Sequence, residues 1–146
     1  MHTSDDLDKN ISEPDEHGAS VFEAAVRDGN EMLVAAMLDN GFTPDRRLRD
    51  SFDTPVIAAA ALEGRLGVVR LLIQAGADVN AQDGLGRTAL IYAAAAGRAD
   101  LVLELIRARA EKSRVDHQGL VARLIAAYRG HYQVIDALSA SHEIRD

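Results

Sequence analysis

Four glycines recur along this chain at almost constant intervals, and they constrain its fold more than any other feature. Gly29, Gly64, Gly97 and Gly130 follow one another at intervals of about 33 residues, and the first interval is slightly longer than the other two. Each glycine is followed by an apolar run of nearly the same pattern. A period of this length is typical of architectures built by stacking one small structural unit several times. The chain is therefore predicted to contain four copies of one unit.

The segments on either side of each glycine have the composition of helices. Those before it are rich in alanine, as in PVIAAAALE before Gly64, and the chain contains 25 alanines in all. Alanine has the highest helix propensity of the amino acids. After this glycine, Val68, Val69, Leu71 and Leu72 recur at the spacing of one helix face. Because glycine readily adopts the positive φ that ends a helix, each unit is predicted to be two antiparallel helices joined at the glycine.

The run from Gly64 to Gly97 carries the pattern of a known repeat. The matching positions are Gly64, Val68, Val69, Leu71, Leu72, Gly76, Ala77, Asp78, Val79, Asn80, Ala81, Asp83, Gly86, Thr88, Leu90, Ala93, Ala94 and Gly97. They resemble the ankyrin repeat family, and the resemblance extends over about residues 20–140. It implies an all-α fold: a solenoid of about four helix-turn-helix units with short β-hairpin-like loops and polar end units.

The resemblance also divides the chain. We predict an ankyrin-repeat domain at 20–146, with units at about 20–48, 49–82, 83–115 and 116–142. Residues 1–19 carry a net charge of −5 out of −7 for the whole chain, and they are predicted to be an acidic flexible tail. The first residues lack the basic and apolar segments of a signal peptide, and no apolar run is long enough to span a membrane. We therefore expect a cytoplasmic protein without a membrane partner.

Unit two departs from the family pattern near the start of its first helix. Thr54 and Thr88 are both predicted to lie where a first helix begins. The distance from Thr54 to Gly64 is one residue longer than that from Thr88 to Gly97, so units one and two are predicted to have one extra residue in the first helix, with a bulge or a longer turn there. Phe52 stands where the family favours glycine, so a distorted turn is expected as well.

Units three and four depart from the pattern in other ways. Arg109 replaces the closing glycine of unit three. Arg123 replaces an inward-pointing apolar residue in the first helix of unit four. Either the register of this unit has slipped, or the unit is a cap whose outer face meets water.

The composition argues against catalysis and against bound cofactors. The chain contains no cysteine, so it has no disulfide, no thiolate metal site and no cysteine nucleophile. None of its five histidines is paired at the spacing of a helical metal site. The run Asp83-Gly84-Leu85-Gly86 lacks the third glycine of a dinucleotide-binding fingerprint. We predict no enzyme activity, no cofactor and no metal, and the acidic net charge disfavours nucleic acid as a partner.

The remaining candidate is a binding surface. The resemblance implies that the loop tips and the exposed side of each first helix line a concave groove. The predicted protein-binding residues are Asp50, Ser51, Phe52, Asp53, Leu62, Glu63, Leu85, Arg87, His117, Gln118, Leu120, Tyr128 and Arg129. Because binding hot spots favour aromatic and arginine side chains, Phe52, Arg87, Tyr128 and Arg129 are the first candidates among them.

Binding to another protein is therefore the predicted function. Because no further domain is expected that could recruit a second protein, we predict a small regulator or inhibitor that masks a partner through its concave face and is monomeric when free. Two alternatives are a toxin-immunity or effector-neutralising protein and a scaffold adaptor without inhibitory activity. One further hypothesis is that the acidic tail folds against the basic cluster of Arg46, Arg47 and Arg49 and shields the concave face.

Overall fold

The structure of the chain is a computed structural model that describes the backbone of residues 16–144 and the side chains of residues 17–139. Over this range the chain forms eight helices: α1 (Glu16–Asp28), α2 (Glu31–Asp39), α3 (Val56–Leu62), α4 (Leu66–Gln74), α5 (Ala89–Ala95), α6 (Ala99–Arg107), α7 (Ala122–Arg129) and α8 (Tyr132–Ile144). Residues 1–15 of the predicted tail lie outside the described residues. Residues 16–19 belong to α1, so the first helix begins earlier than the predicted domain boundary.

The helices form four helix-turn-helix pairs that stack in chain order. The first helices of the pairs, α1, α3, α5 and α7, pack on one another, and the second helices, α2, α4, α6 and α8, form the opposite layer. Between residues 16 and 144 there is no β-strand, and β pairing is limited to one antiparallel bridge between Arg47 and Pro55. The predicted all-α repeat solenoid is confirmed.

Small and aliphatic side chains form the contacts between successive pairs. Ala60 and Ala61 of α3 are fully buried, so the neighbouring helices approach closely. Val68, Val69 and Leu72 of α4 are also fully buried. Removing this apolar surface from water is the main force that stabilises the stack. A single unit would leave the same face exposed, so each unit depends on its neighbours.

The turns inside the first three pairs require glycine for two reasons. Gly64 and Gly97 both have a φ of 74°, a left-handed conformation that other residues rarely adopt. A Cβ atom at Gly64 would also lie 2.3 Å from Nη1 of Arg98, and one at Gly97 would lie 2.8 Å from Nδ1 of His131. The side chain of the next unit therefore occupies the space that glycine leaves open.

The same side chains link successive units. Nε of Arg65 donates a hydrogen bond to the carbonyl of Arg27 at 2.8 Å, and Nη1 of Arg98 donates one to the carbonyl of Gly64 at 3.1 Å. Nε2 of His131 lies 3.1 Å from the carbonyl of Ala95. The carbonyls of Arg27 and Ala95 belong to the last turns of first helices, and that of Gly64 lies in the turn just after one. There the backbone lacks helical partners and carries partial negative charge. Each unit thus caps the first helix of the unit before it.

An aspartate, exposed in unit two and buried in units three and four, organises the loop before each of the last three first helices. Asp50, Asp83 and Asp116 are each one repeat period apart. Oδ1 of each carboxylate accepts hydrogen bonds from the backbone N–H groups two and four residues later, at 2.9–3.2 Å. The three loops therefore share one conformation and one register.

This common register corrects the prediction for unit two. Pro55, and not Thr54, occupies the N-cap position that Thr88 holds in unit three. Helices α3 and α5 contain seven residues each, so the predicted extra residue in the first helix was wrong. The position that favours glycine is held by Asp53, with a φ of 52°, and not by Phe52. Aspartate tolerates this conformation because its short side chain can bond locally.

The later units keep the same register despite their unusual arginines. Arg109 has a φ of 73°, close to the positive φ of Gly76 in the preceding unit, so the turn keeps its form with a side chain present. Arg123 is exposed, whereas Leu90 at the equivalent position is buried. Its Nη1 atom donates a hydrogen bond to Oγ of Ser139 at 3.2 Å. Unit four has therefore not slipped, and its outer face meets water.

Candidate functional site

A groove of about 750 Å³ lies between the first helices of units three and four. Helices α5 and α7 form its sides, and residues of the two preceding loops close one end. We call it the α5–α7 groove. It is lined by Arg87, Ile91, Tyr92, Ala95, Gln118, Leu120, Leu124, Ile125, Ala127, Tyr128 and Arg129.

The wall formed by α7 is apolar and open to solvent. Leu124 is 53% exposed and Tyr128 is 93% exposed, although both are large hydrophobic side chains. Ala95 on the opposite helix contributes only a methyl group, which leaves room between the two sides. Exposed apolar surface that clusters in a groove, with polar groups at its rim, is typical of binding sites.

Two arginines lie at the rim of the groove. The guanidinium carbon of Arg87 lies 5.9 Å from the centre of the Tyr92 ring, and Nε of Arg87 lies 3.7 Å from Oδ2 of Asp116. Nη1 of Arg129 donates a hydrogen bond to the carbonyl of Ala95 at 3.3 Å. The groove therefore offers hydrophobic contact together with donors that suit anionic or carbonyl groups.

Buried carboxylates lie behind this rim. Asp83 and Asp116 are 6% and 4% exposed. The hydroxyl of Tyr92 donates to Oδ2 of Asp83, and burial, followed by this bond and the carboxylate charge, raises the pKa of Tyr92 to about 12. Asp116 lacks such a hydroxyl because Ile125 stands nine residues after it, and its Oδ2 faces Arg87 without a hydrogen bond. These groups hold the loops in place, and Tyr92 stays a protonated donor at neutral pH.

The groove brings together five of the predicted binding residues: Arg87, Gln118, Leu120, Tyr128 and Arg129. The other eight lie outside it. Seven of these are exposed, namely Asp50, Ser51, Phe52, Asp53, Leu62, Glu63 and His117, and Leu85 is partly buried. Asp50 instead lines a shallower depression of about 470 Å³ beside α1.

Sequence reasoning predicted Leu120 and Tyr128 but missed the rest of the apolar lining of the groove. Tyr92, Leu124 and Ile125 were assigned to helices but not to a binding surface. The repeat period could have indicated this surface. Tyr92 and Ile125 are one period apart, so both units place a large side chain at the equivalent position. This is the position at which Ala59 stands in unit two.

The basic cluster that follows α2 is used within the protein. Nη2 of Arg46 and Nε of Arg49 lie 3.8 and 3.3 Å from Oε2 of Glu23 on α1. Nη1 of Arg47 donates a hydrogen bond to the carbonyl of Gln82 at 2.8 Å. The contacts of Arg49 and Arg47 join units one and two. The hypothesis that the acidic tail docks here concerns residues outside the described range and stays a prediction.

Among the described residues, no three His, Asp or Glu side chains are placed so that they could hold a metal ion. No helix in that part of the chain has both the length and the apolar composition needed to cross a membrane.

A family model for ankyrin repeats, in three copies, matches residues 57–146. The match covers more than half of the chain and includes α3–α8 and both sides of the groove.

Similar curated proteins come from distant organisms. Protein HOS4 of Saccharomyces cerevisiae is 42% identical over 73 residues, which are 50% of this chain and 7% of that protein. A putative ankyrin repeat-containing protein of Treponema pallidum is 38% identical over 77 residues, 53% of this chain and 26% of that protein. SH3 and multiple ankyrin repeat domains protein 1 of Homo sapiens is 37% identical over 73 residues, 50% of this chain and 3% of that protein. The chain thus matches only a small part of each relative.

Proposed function

The chain belongs to the ankyrin repeat family, whose members are generally protein–protein interaction modules, and on this premise we propose that it binds a partner protein through the α5–α7 groove. The observation that carries the proposal is the exposure of Leu124 and Tyr128 in one continuous groove. Apolar surface of this kind gains free energy when a partner covers it.

The shape of the scaffold supports the same proposal. The groove is built on two helices whose loops are held by the buried carboxylates of Asp83 and Asp116. A surface that is ordered before binding loses little conformational entropy when the partner docks. The eight predicted residues outside the groove remain candidates for a wider contact area around it.

We assign the protein the role of a small regulator or inhibitor. When a partner binds α5 and α7, the part of the partner's surface that contacts these helices is covered. If the partner needs that part of its surface for its activity, binding inhibits the partner. Neutralisation of a toxin or effector is a special case of this role, whereas a scaffold adaptor would bind without inhibiting. The proposal requires no catalytic group, in keeping with a family of non-enzymatic modules. It places the protein in the cytoplasm, as a monomer before it binds.

Site-specific cross-linking tests where the partner binds. A photoreactive phenylalanine analogue replaces Tyr128 in one variant and Met32 in the other, and the variants are used in extracts of the native host. Met32 is 86% exposed on α2, so it is a matched control on another surface. We expect one protein to be cross-linked from position 128 and not from position 32. Equal cross-linking from both positions, or none from position 128, would reject the groove as the binding site.

Two measurements on the captured partner separate the possible roles. Leu124→Glu places a charge in the apolar wall and should weaken binding by at least about tenfold, whereas Met32→Glu should change it by less than about twofold. If the partner's activity falls in proportion to the bound fraction, the protein is an inhibitor. If the activity is unchanged and a third protein joins the complex, the protein is an adaptor, and the inhibitory role is wrong.

A further inference from the structure

The charge of the α5–α7 groove points to a specific class of partner. We infer that the groove receives a short segment of a partner protein in which a bulky apolar side chain stands next to a carboxylate. This inference rests on the proposed function and adds the chemistry of the segment that is bound.

The lining of the groove has the opposite charge to the chain as a whole. The chain carries a net charge of −7, with 23 acidic and 16 basic residues. The eleven lining residues include Arg87 and Arg129 but no aspartate or glutamate. Asp83 and Asp116 lie behind the wall, at 6% and 4% exposure, and are bonded to the loop backbone. A bound segment therefore meets arginine side chains and does not meet the carboxylates.

Arg129 is the cation best placed to bind a partner's carboxylate. It is exposed at the end of α7, and in the part of the chain with described side chains no carboxylate lies within ion-pair distance of it. Its hydrogen-bond partner there is the carbonyl of Ala95. A guanidinium has five N–H donors, so further donors remain for a carboxylate, which arginine can bind through two parallel hydrogen bonds.

Arg87 has a different role because its charge is already compensated. Its Nε atom lies 3.7 Å from the buried Oδ2 atom of Asp116, and its guanidinium lies against the ring of Tyr92. The two arginines therefore divide the rim into a neutralised end and a charged end. The carboxylate of the bound segment is assigned to the end that carries Arg129.

The apolar requirement follows from the side chains next to Arg129. Tyr128 precedes it on the same helix, and Leu124 lies one helical turn before Tyr128. Both are more than half exposed, and Ile125 and Leu120 extend the apolar wall towards the loop. An aliphatic or aromatic side chain that enters this space is within one helical turn of Arg129. In the groove, the hydrophobic contact surface is thus next to the ionic one. The bound segment must therefore carry its apolar side chain next to its carboxylate.

The depression beside α1 has a different charge pattern. Its lining includes Arg27 and Arg49 but also the carboxylates of Glu23, Asp28 and Asp50. An acidic segment would be repelled there, because three carboxylates oppose two arginines. The charge pattern therefore directs an acidic segment to the groove of units three and four and not to the first two units.

The amino-terminal part of the chain includes a segment of the same chemistry. Asp5, Asp6 and Asp8 flank Leu7 in residues 1–15. An intramolecular occupant is therefore the principal alternative, and the experiment must separate it from a partner.

The test is a selection for binding peptides on the full-length protein. The probe is a phage-displayed library of random peptides of about twelve residues, long enough to fill a groove between helices. Three proteins are compared: the wild type, Arg129→Glu, and the matched control Arg107→Glu. Arg107 is also an exposed arginine in the last turn of a helix, so both substitutions have the same unfavourable effect on a helix dipole. Their melting temperatures are measured first.

We expect the wild type and Arg107→Glu to enrich peptides that carry a bulky apolar residue next to Asp or Glu. Arg129→Glu should lose this acidic preference and bind the same peptides at least about tenfold more weakly. Enriched peptides without an acidic preference, an acidic preference that survives in Arg129→Glu, or no enrichment on the wild type would each overturn the inference.

Two further variants distinguish the remaining explanations. If wild-type peptides lack acidic residues but Leu124→Glu abolishes their binding, the groove binds protein segments and only the acidic chemistry is wrong. If Leu124→Glu leaves binding intact, the site is elsewhere, and the proposed function fails together with the inference.

A full-length chain with Asp5→Asn, Asp6→Asn and Asp8→Asn should bind the peptides with unchanged affinity. A gain of about tenfold would assign the groove to the chain's own acidic segment and overturn the inference.

Discussion

The hydroxyl of Tyr92 donates a hydrogen bond to the buried carboxylate of Asp83, nine residues earlier in the chain. This contact joins helix α5 to the loop that precedes it, and the same carboxylate accepts the backbone N–H groups of Leu85 and Arg87. The Tyr92–Asp83 pair therefore links the side of the groove to the loop that closes its end.

Tyr92→Phe removes this donor and leaves a buried acceptor without its hydroxyl partner. We expect the free energy of unfolding to fall by about 1–3 kcal/mol, measured by urea denaturation. Tyr132→Phe is the control, because Tyr132 is 74% exposed, and it should change stability by less than about 0.5 kcal/mol. If the two variants were equally stable, the hydrogen bond to Asp83 would make no measurable contribution to the free energy of unfolding.

Alkaline pH should reveal the same contact. Burial and Asp83 raise the pKa of Tyr92 from 10.0 to about 12. Because the pKa in the folded state exceeds that in the unfolded state, this contribution to stability is complete below pH 10 and is lost as the pH rises towards 12. The difference in unfolding free energy between the wild type and Tyr92→Phe should therefore shrink over this range. A difference that stays constant would show that Tyr92 titrates normally.

Leu72→Ala should create a cavity between the helix pairs. Leu72 is fully buried on α4, and its truncation should lower the free energy of unfolding by about 2–5 kcal/mol in denaturant titrations. Leu62→Ala makes the same chemical change at a side chain that is 51% exposed, and it should have little effect. A small effect at Leu72 would contradict the packing of unit two.

Arg109 and Gly76 provide a reciprocal test of backbone strain. Arg109→Gly should raise the free energy of unfolding by about 0.5–1 kcal/mol, because a residue with a φ of 73° no longer carries a Cβ atom. Gly76→Arg should lower it by a similar amount. Beyond its two chain neighbours, no residue has an atom within 4 Å of the position that a Cβ at Gly76 would take, so the expected cost comes from the backbone alone. Thermal unfolding curves of both variants measure the effect. If Arg109→Gly were destabilised, the arginine side chain would contribute more to the stability of the fold than the backbone strain costs.

Leu85→Asp tests the loop tip predicted from the sequence. Leu85 is partly buried, and it connects to unit four through its carbonyl, which accepts the N–H group of His117 at 2.9 Å. Because the substitution leaves this backbone bond in place, the melting temperature should be nearly unchanged, whereas partner binding should weaken. A large drop in melting temperature would show that the side chain belongs to the core and not to a binding surface.

Periodicity and composition were sufficient to predict the helices. The regularly spaced glycines and the alanine-rich runs before them predicted four helix pairs, and α5 lies within the run ALIYAAAA. Both signals are local: helix propensity and positive φ depend on a residue and its chain neighbours. The same reasoning misplaced the start of α3. Threonine is a common N-cap residue, so Thr54 was chosen, whereas the loop around Asp50 places Pro55 at the N-cap position.

The groove itself depended on packing between units. Ile91 and Leu124 occupy equivalent positions in successive units, yet Ile91 is 2% exposed and Leu124 is 53% exposed. No local property of two similar aliphatic residues separates these outcomes, because burial depends on the side chains that neighbouring units place opposite them. The chain's periodicity thus established the repeated helices and the candidate loop residues, whereas contacts between units determined which apolar residues became core and which became a binding surface.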